Sequence, residues 1–527
     1  MQLQSIPLVV PAGLVMARPT PQAKARKPLD ELVAEGRAKG LKCNLQTDGR
    51  MFSFAQIVLA STGPPPVEWD CLLGITRNCS RTGQHDRERL AAKLPVKPRI
   101  IARSRSIFPG QMRGWSVEFP PSGIGGYAHC LSASLSVSNI CLPTQSLWKF
   151  EIMPSELHGI KAADIHAKIR LLIDGMVNIK DTTGEFLLKL EDGRVIDTKG
   201  WNDWEWTHGI GLYGIWQYYQ LTGDESCLKI IEDWFRDRFA AGGTTKNINT
   251  MSVFLTLAFV YEKTRNPIYL PWLEAWAEWA YHDLGRTRFG GMQHTTYNNM
   301  NDEQLWDDTL MMTVVPLAKI GLVLDRPHYV AEAKRQFLIH LKYLFDTRTG
   351  LFFHGWTFED GGHNFARALW ARGNSWLTIV IPEFIELLDL ERTDPPLYHH
   401  LRDSLLAQCE ALVPLQHPET GLWRTLLDVP EAEGSYPESS ATAGFAFGML
   451  KAQRKKYIAG TAFEAPAVLA LKGVLANIDE RGELMNTSFG TAMGHDLQHY
   501  KDIPITSMPY GQAMAIMALV EFLRVFI

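Results

Sequence analysis

The sequence predicts an all-α fold in which six helical hairpins close into an inner ring of helices within an outer ring. Three observations carry this. From about residue 156 onward, apolar residues recur at i, i+3, i+4 and i+7 in segments about 25 to 30 residues apart. The segments fall into pairs with short links between pairs and mostly long ones within them. There are six pairs, and helices joined by short links lie antiparallel side by side.

In order, the expected pairs are 161–179 with 207–221, 224–239 with 249–264, 268–283 with 304–323, 328–346 with 365–391, 397–413 with 438–455, and 464–477 with 509–526. The links between pairs, TGD at 222–224, RNP at 265–267, LDRP at 324–327 and RTDP at 392–395, hold turn formers and helix caps. Four connections inside pairs are long and hold most of the glycine, aromatic and charged clusters. In a ring of hairpins these gather at one end. Helix N-termini there supply partial positive charge and free N–H groups, which suits an anionic ligand. The hairpins differ from one another in sequence, so a solenoid of repeats is disfavoured.

Residues 1–155 have another character. They are rich in Pro, Ser, Arg and Gly, and only 28–41 has a helical pattern. The first 150 residues carry 19 Lys/Arg against 9 Asp/Glu, leaving 34 against 48 for the remainder. This segment is expected to be a poorly structured N-terminal extension, since such a composition buries little apolar surface. A basic, anion-binding regulatory arm is the alternative. The barrel domain is expected over 156–527.

The whole chain, 527 residues, is 46% hydrophobic and 21% charged, the balance of a soluble globular protein long enough to bury a large core. Neither a nucleic-acid partner nor a membrane is expected, and no apolar run of 18 residues is present. Oligomeric state is not legible. Five of seven cysteines lie in the first 150 residues without metal-ligand spacing. That thin, odd set points to a reducing, cytoplasmic setting. Secretion is the alternative, because 6–17 is apolar like a signal-peptide core, although it lacks a preceding positive charge and contains two prolines.

Thirteen of sixteen tryptophans lie between Trp201 and Trp423. Trp272, Trp276 and Trp279 have helical spacing and are expected in the core. Trp204, Trp206, Trp306, Trp356, Trp370 and Trp376 stand beside polar residues and glycines, an arrangement that can stack sugar rings and bond their hydroxyls.

The order WNDWEWTHGIGLYGIWQYYQLTGD (201–224), His294, LWDDTLMM (305–312), FHGW (353–356) and WARGNSW (370–376) resembles the unsaturated rhamnogalacturonyl hydrolases of glycoside hydrolase family 105. ESSATAGF (438–445) and MPYGQAMAIMAL (508–519) resemble its fungal members in particular. The resemblance covers about 156–527. It implies an (α/α)6 barrel, an oligosaccharide substrate ending in a 4,5-unsaturated uronic acid left by a polysaccharide lyase, and no metal or organic cofactor. The usual source is rhamnogalacturonan I.

Such a substrate carries an enol ether, which is cleaved by hydration. A carboxylic acid protonates C4, positive charge appears at C5 beside the ring oxygen, water adds there, and the hemiketal opens. One carboxyl serves as acid and then base. The resemblance gives this part to Asp308. The adjacent Asp307 stands where an apolar residue is commoner. It either raises the proton affinity of its neighbour by like-charge repulsion or simply favours a helix N-terminus.

The resemblance places Arg372, Asn374 and Trp376 on the substrate, with the Arg fork on the uronate carboxylate. An Arg paired with a core acid is the alternative. His294 and His354 match pocket histidines, where the residues alone indicate satisfied core histidines. Trp206, with His208, is expected in the pocket wall. The family's second aspartate is missing: 246–251 is KNINTM, and Asn249 is taken as an amide that binds sugar hydroxyls. Otherwise the surroundings of Asp308 differ. The competing functions are a sugar epimerase on the same barrel and a non-catalytic carbohydrate-binding protein. A terpene-cyclase acidic motif is disfavoured, since Thr309–Met312 supply no further carboxylate for magnesium.

Overall fold

The computed structural model describes residues 156–460 and 462–526. The expected N-terminal extension, including the pattern at 28–41, lies outside them.

Twelve long helices follow in order: α1 Ala162–Asn178, α2 Trp206–Thr222, α3 Glu225–Ala240, α4 Val253–Thr264, α5 Leu270–Glu278, α6 Val315–Val323, α7 Pro327–Leu344, α8 Ala371–Leu388, α9 Pro395–Leu412, α10 Ser439–Arg454, α11 Glu464–Ala476 and α12 Pro509–Phe526. Burial divides them into two rings. On α3 the buried residues are Cys227, Leu228, Ile231, Trp234 and Phe235, a single stripe at helical spacing. On α2 every residue from Thr207 to Tyr219 is buried. A helix buried all round is an inner one.

The even-numbered helices form the inner ring. α2 packs on α4, α4 on α6, α6 on α8, α8 on α10 and α10 on α12, and α12 returns to α2. The expected (α/α)6 barrel is therefore the observed one. Close approach within the ring has a visible cause: a Cβ at Gly448 on α10 would stand 2.3 Å from Thr378 on α8. Local signals set the hairpin boundaries. Gly223 takes the left-handed conformation that ends α2, and Asp224 caps α3 through the Ser226 N–H.

Two expected helices start later than the period implies. Residues 304–306 form an antiparallel ladder with Gly355–Thr357, so their backbone groups pair across strands. The helical backbone begins at Asp308 and passes through a π-turn, Leu310–Val314, into α6. Likewise 365–370 is not helical, because Trp370 is extended and bridges Leu426. Cross-strand pairing overrides helical periodicity at both places, and both places carry polar residues of the expected site.

Candidate active site

The connections inside the hairpins meet at the end where the inner helices begin. Asp308, the first helical residue after the 304–306 strand, is held there from two sides. Its Oδ1 accepts the Trp376 indole N–H at 3.1 Å, and its Oδ2 lies 3.2 Å from His354 Nε2. Its side chain is 16% exposed, enough to be touched from outside.

The orientation of His354 comes from behind. Tyr500 Oη lies 2.7 Å from His354 Nδ1 and itself accepts the Gly494 N–H. The tyrosine proton is assigned to Nδ1, so Nε2 carries the imidazole proton and donates it to Asp308. Burial lowers the pKa of His354, against the pull of Asp308, and the ring is neutral near neutral pH. Trp306 stacks on His294 at 4.2 Å and meets His354 edge-on at 5.5 Å. His294 bonds Thr309 Oγ1 through Nδ1, and burial pushes its pKa down to about 3.

Asp307 is fully buried, and neither carboxyl oxygen meets an N–H or O–H donor of another protein group. The neighbouring carboxyl is that of Asp308, an oxygen of each lying within 4.8 Å of the other. Two carboxyls bond only through a proton that one of them holds. Burial first, then the charge of Asp308, raises the Asp307 pKa well above the carboxylate range. Burial also works against ionisation of Asp308, but the hydrogen bond with His354, above all, holds it below that range. Gly373 makes room for the pair, since a Cβ there would stand 2.2 Å from Asp307 Oδ2.

Oxygens of Asp307 and Asp308 and a ring nitrogen of His354 lie within 4.8 Å of one another, close enough for a metal ion. The donor set fits one poorly. In the orientation that Tyr500 sets, the ring nitrogen facing the carboxyls carries a proton and has no lone pair for a metal.

Arg372 and Asn374 are engaged by protein groups. Arg372 is 1% exposed. Its guanidinium donates to the Ser488 carbonyl and hydroxyl, the Phe489 carbonyl and Tyr510 Oη, and it stacks on Trp370 at 4.4 Å. It ties the start of α8 to the segment leading into α12, and its two terminal nitrogens are already committed to protein oxygens. Among the described residues no acid forms a salt bridge with it, so the alternative of a paired core acid is not the one seen. Asn374 is fully buried. Its amide accepts the Phe352 N–H and donates to the Phe352 and Trp370 carbonyls, fixing the Leu351–Phe352 strand just before His354. Trp376 does face Asp308, through its N–H.

His208 is likewise committed, with Nδ1 accepting the Glu205 N–H and Nε2 on the Gly200 carbonyl. Trp206 is half-buried, stacks on Tyr510 at 4.4 Å and meets Trp376 edge-on at 6.0 Å. Asn249 is half-buried and hydrogen-bonds the Glu205 side chain. Glu205 is itself 3% exposed, and burial pushes its pKa up to about 8. A neutral acid thus stands beside the amide where the family's second aspartate is expected. Two cavities of about 240 and 270 Å³ open beside Asp203. Neither is lined by Asp307, Asp308 or His354, so neither is the pocket described here.

Comparison with known proteins decides the family. The model of Glycosyl Hydrolase Family 88 matches residues 178–526. The chain belongs to glycosyl hydrolase family 88/105. This hydrolase is 58% identical to a possible member of the GH105 family from Salmonella enterica, whose crystal structure superposes with a TM-score of 0.69 over 72% of this chain and 98% of that one. A possible GH105 member from Klebsiella pneumoniae gives 56% identity and a TM-score of 0.68, over 72% and 99%. The unsaturated rhamnogalacturonyl hydrolase YesR of Bacillus subtilis is 30% identical over 324 residues, 61% of this chain and 90% of its own. The unsaturated glucuronyl hydrolase of Bacillus sp. GL1 shares the fold alone, at 16% identity and a TM-score of 0.51, over 69% and 97%.

The chain is therefore a glycoside hydrolase, and the epimerase and binding-only alternatives are set aside. The relatives named are bacterial, and the expected likeness to fungal members in particular finds no support in them. Among the described residues no helix is long and apolar enough to cross a membrane. Two residues of the hydrolase's site escaped sequence reasoning. Tyr500 lies 146 positions from His354 with no motif to link them. Glu205, between Trp204 and Trp206, had a signal: an acid between two tryptophans just before a wholly apolar helix face.

Proposed function

We propose that the enzyme releases the terminal 4,5-unsaturated uronic acid from lyase-generated oligosaccharides, with the unsaturated galacturonyl–rhamnose of rhamnogalacturonan I as preferred substrate. The observation that carries the reading is Asp308: a partly accessible carboxyl, held by Trp376 and His354, inside a wall of aromatic rings. Kinship with YesR supports the choice of leaving sugar. The catalytic unit is taken to begin near residue 156, and its small substrate needs no protein partner. A cytoplasmic setting is supported by the buried free thiols of Cys227 and Cys409, since neither is paired.

Asp308 delivers a proton to C4 of the double bond, and the cation that forms at C5 shares its charge with the ring oxygen. Water adds at C5 and returns a proton to Asp308, and the hemiketal opens to free the sugar. His354 and Trp376 fix the carboxyl, so little reorganisation is needed at the moment of transfer. Trp206 offers a face for the sugar ring. Asn249 offers an amide to its hydroxyls, and His294 lines the same wall. Arg372 and Asn374 act at one remove, by holding the segments that carry these groups.

The test is incubation with unsaturated rhamnogalacturonan disaccharide while following the ultraviolet absorbance of the conjugated double bond. A steady fall with free rhamnose appearing is expected. An unchanged absorbance with this and with unsaturated glucuronyl disaccharides removes the proposal.

A further inference from the structure

Asp308 alone is a poor acid in the resting enzyme. His354 donates to one of its oxygens and Trp376 to the other, and both bonds favour the ionised form. Yet the reaction proposed above begins with a proton on that carboxyl. Asp307, one residue earlier, presents the converse situation. It is wholly buried, neither oxygen has a hydrogen-bond partner, and the Asp308 carboxyl lies within 4.8 Å. An unpartnered carboxylate at such a depth costs far more than a neutral carboxylic acid does.

We infer that Asp307 is a positioning residue that stores one proton against Asp308 for delivery to the substrate's double bond. The inference rests on the proposed hydration reaction and deepens it. Asp307 cannot touch the sugar, because it has no exposed surface, whereas Asp308 does have some. The other titratable or charged groups around the pair are His354, His294, Arg372 and Tyr500. Burial keeps both imidazoles neutral, Arg372 pulls Asp307 towards ionisation, and burial raises the Tyr500 pKa so that its hydroxyl stays protonated.

The trigger is the substrate's own charge. A uronate carboxylate brought beside Asp308 raises its proton affinity. The stored proton moves from Asp307 to Asp308, and Asp308 passes it to C4. Water adding at C5 returns one proton to Asp308, from which the pair is refilled. One water is consumed and the pair ends as it began. A chain with an apolar residue at 307 has no such store and must take the proton from solvent.

The test compares wild type, D307N and D307L, following turnover of unsaturated rhamnogalacturonan disaccharide against pH, with infrared detection of protonated carboxyl on Asp-labelled protein. In D307N the active form requires Asp308 to hold a proton unaided. The alkaline limb of kcat should move down by at least one pH unit, about tenfold in rate near neutral pH, with KM nearly unchanged and activity recovering as pH falls. D307L, which keeps the packing, should show the same shift. The wild type should show a protonated carboxyl band at neutral pH that D307N lacks. Superimposable pH profiles, or no such band in the wild type, overturn the inference. If a variant does not fold, the band in the wild type decides. If the wild type turns over no unsaturated disaccharide, the reaction is refuted while the band still reports whether the proton is stored.

Discussion

The hydroxyl of Tyr500 meets Nδ1 of His354 at 2.7 Å, and this bond determines what the opposite ring nitrogen presents to Asp308. Because the tyrosine supplies the proton on one side, the imidazole supplies it on the other. The pair converts a histidine that would otherwise choose between tautomers into a fixed donor.

Tyr500→Phe should therefore lower kcat without much change in KM. Losing one neutral hydrogen bond is worth about 1 kcal/mol, or roughly five- to tenfold in rate. Steady-state kinetics on the unsaturated disaccharide measure it. An unchanged kcat would mean that the orientation of His354 comes from the backbone alone.

Asp308→Asn keeps the shape and one of the two incoming contacts, since its amide has one acceptor oxygen, and removes the transferable proton. Turnover should fall by about 10²–10⁴-fold, the range for a general acid–base group, while calorimetry still detects substrate binding. Equal loss of binding and turnover would give Asp308 a binding role instead.

Arg372→Met and Asn374→Ala should act on stability before they act on the substrate. Asn374→Ala leaves the Phe352 N–H and carbonyl without partners, at a cost of about 1–3 kcal/mol for each buried group. Thermal melting should show a lowered Tm for both variants. An unchanged Tm with a raised KM would return them to the substrate-binding part expected from sequence.

Glu205 gives a prediction against pH. Burial raises its folded-state pKa from 4.5 to about 8, so the folded protein holds a proton that the unfolded chain releases. Its stabilising contribution is complete below about 4.5 and is lost as pH rises towards 8, a loss on the order of a few kcal/mol. Glu205→Gln does not titrate and should melt higher than wild type above pH 8, with the advantage shrinking below pH 5. Parallel Tm profiles for the two proteins would show Glu205 ionised throughout.

Fold and site were legible to different depths. The twelve helices and their pairing could be read because one-face or all-round burial leaves a period of 3.6 in the sequence. Asp308, His294, His354 and Trp376 could be located because they sit in short motifs. What the motifs could not convey is direction. WARGNSW places Arg372, Asn374 and Trp376 on one helical turn and a half, yet only Trp376 turns towards Asp308, while the other two brace strands contributed by residues 352 and 488–489. The helix expected from 304 failed for a related reason: its partner strand lies fifty residues later, and periodicity within a window cannot register a ladder. Asp307 looked like an ordinary first-turn acid until the strand before it placed its carboxyl underneath α8.

The most direct measurement remains the absorbance of the double bond. Purified protein and its Asp308→Asn variant are each given lyase-generated unsaturated galacturonyl–rhamnose under the same conditions. The wild type should show a steady fall with stoichiometric free rhamnose, and the variant almost none. A fall of equal rate in both would contradict the assignment of Asp308, and no fall in either would contradict the reaction itself.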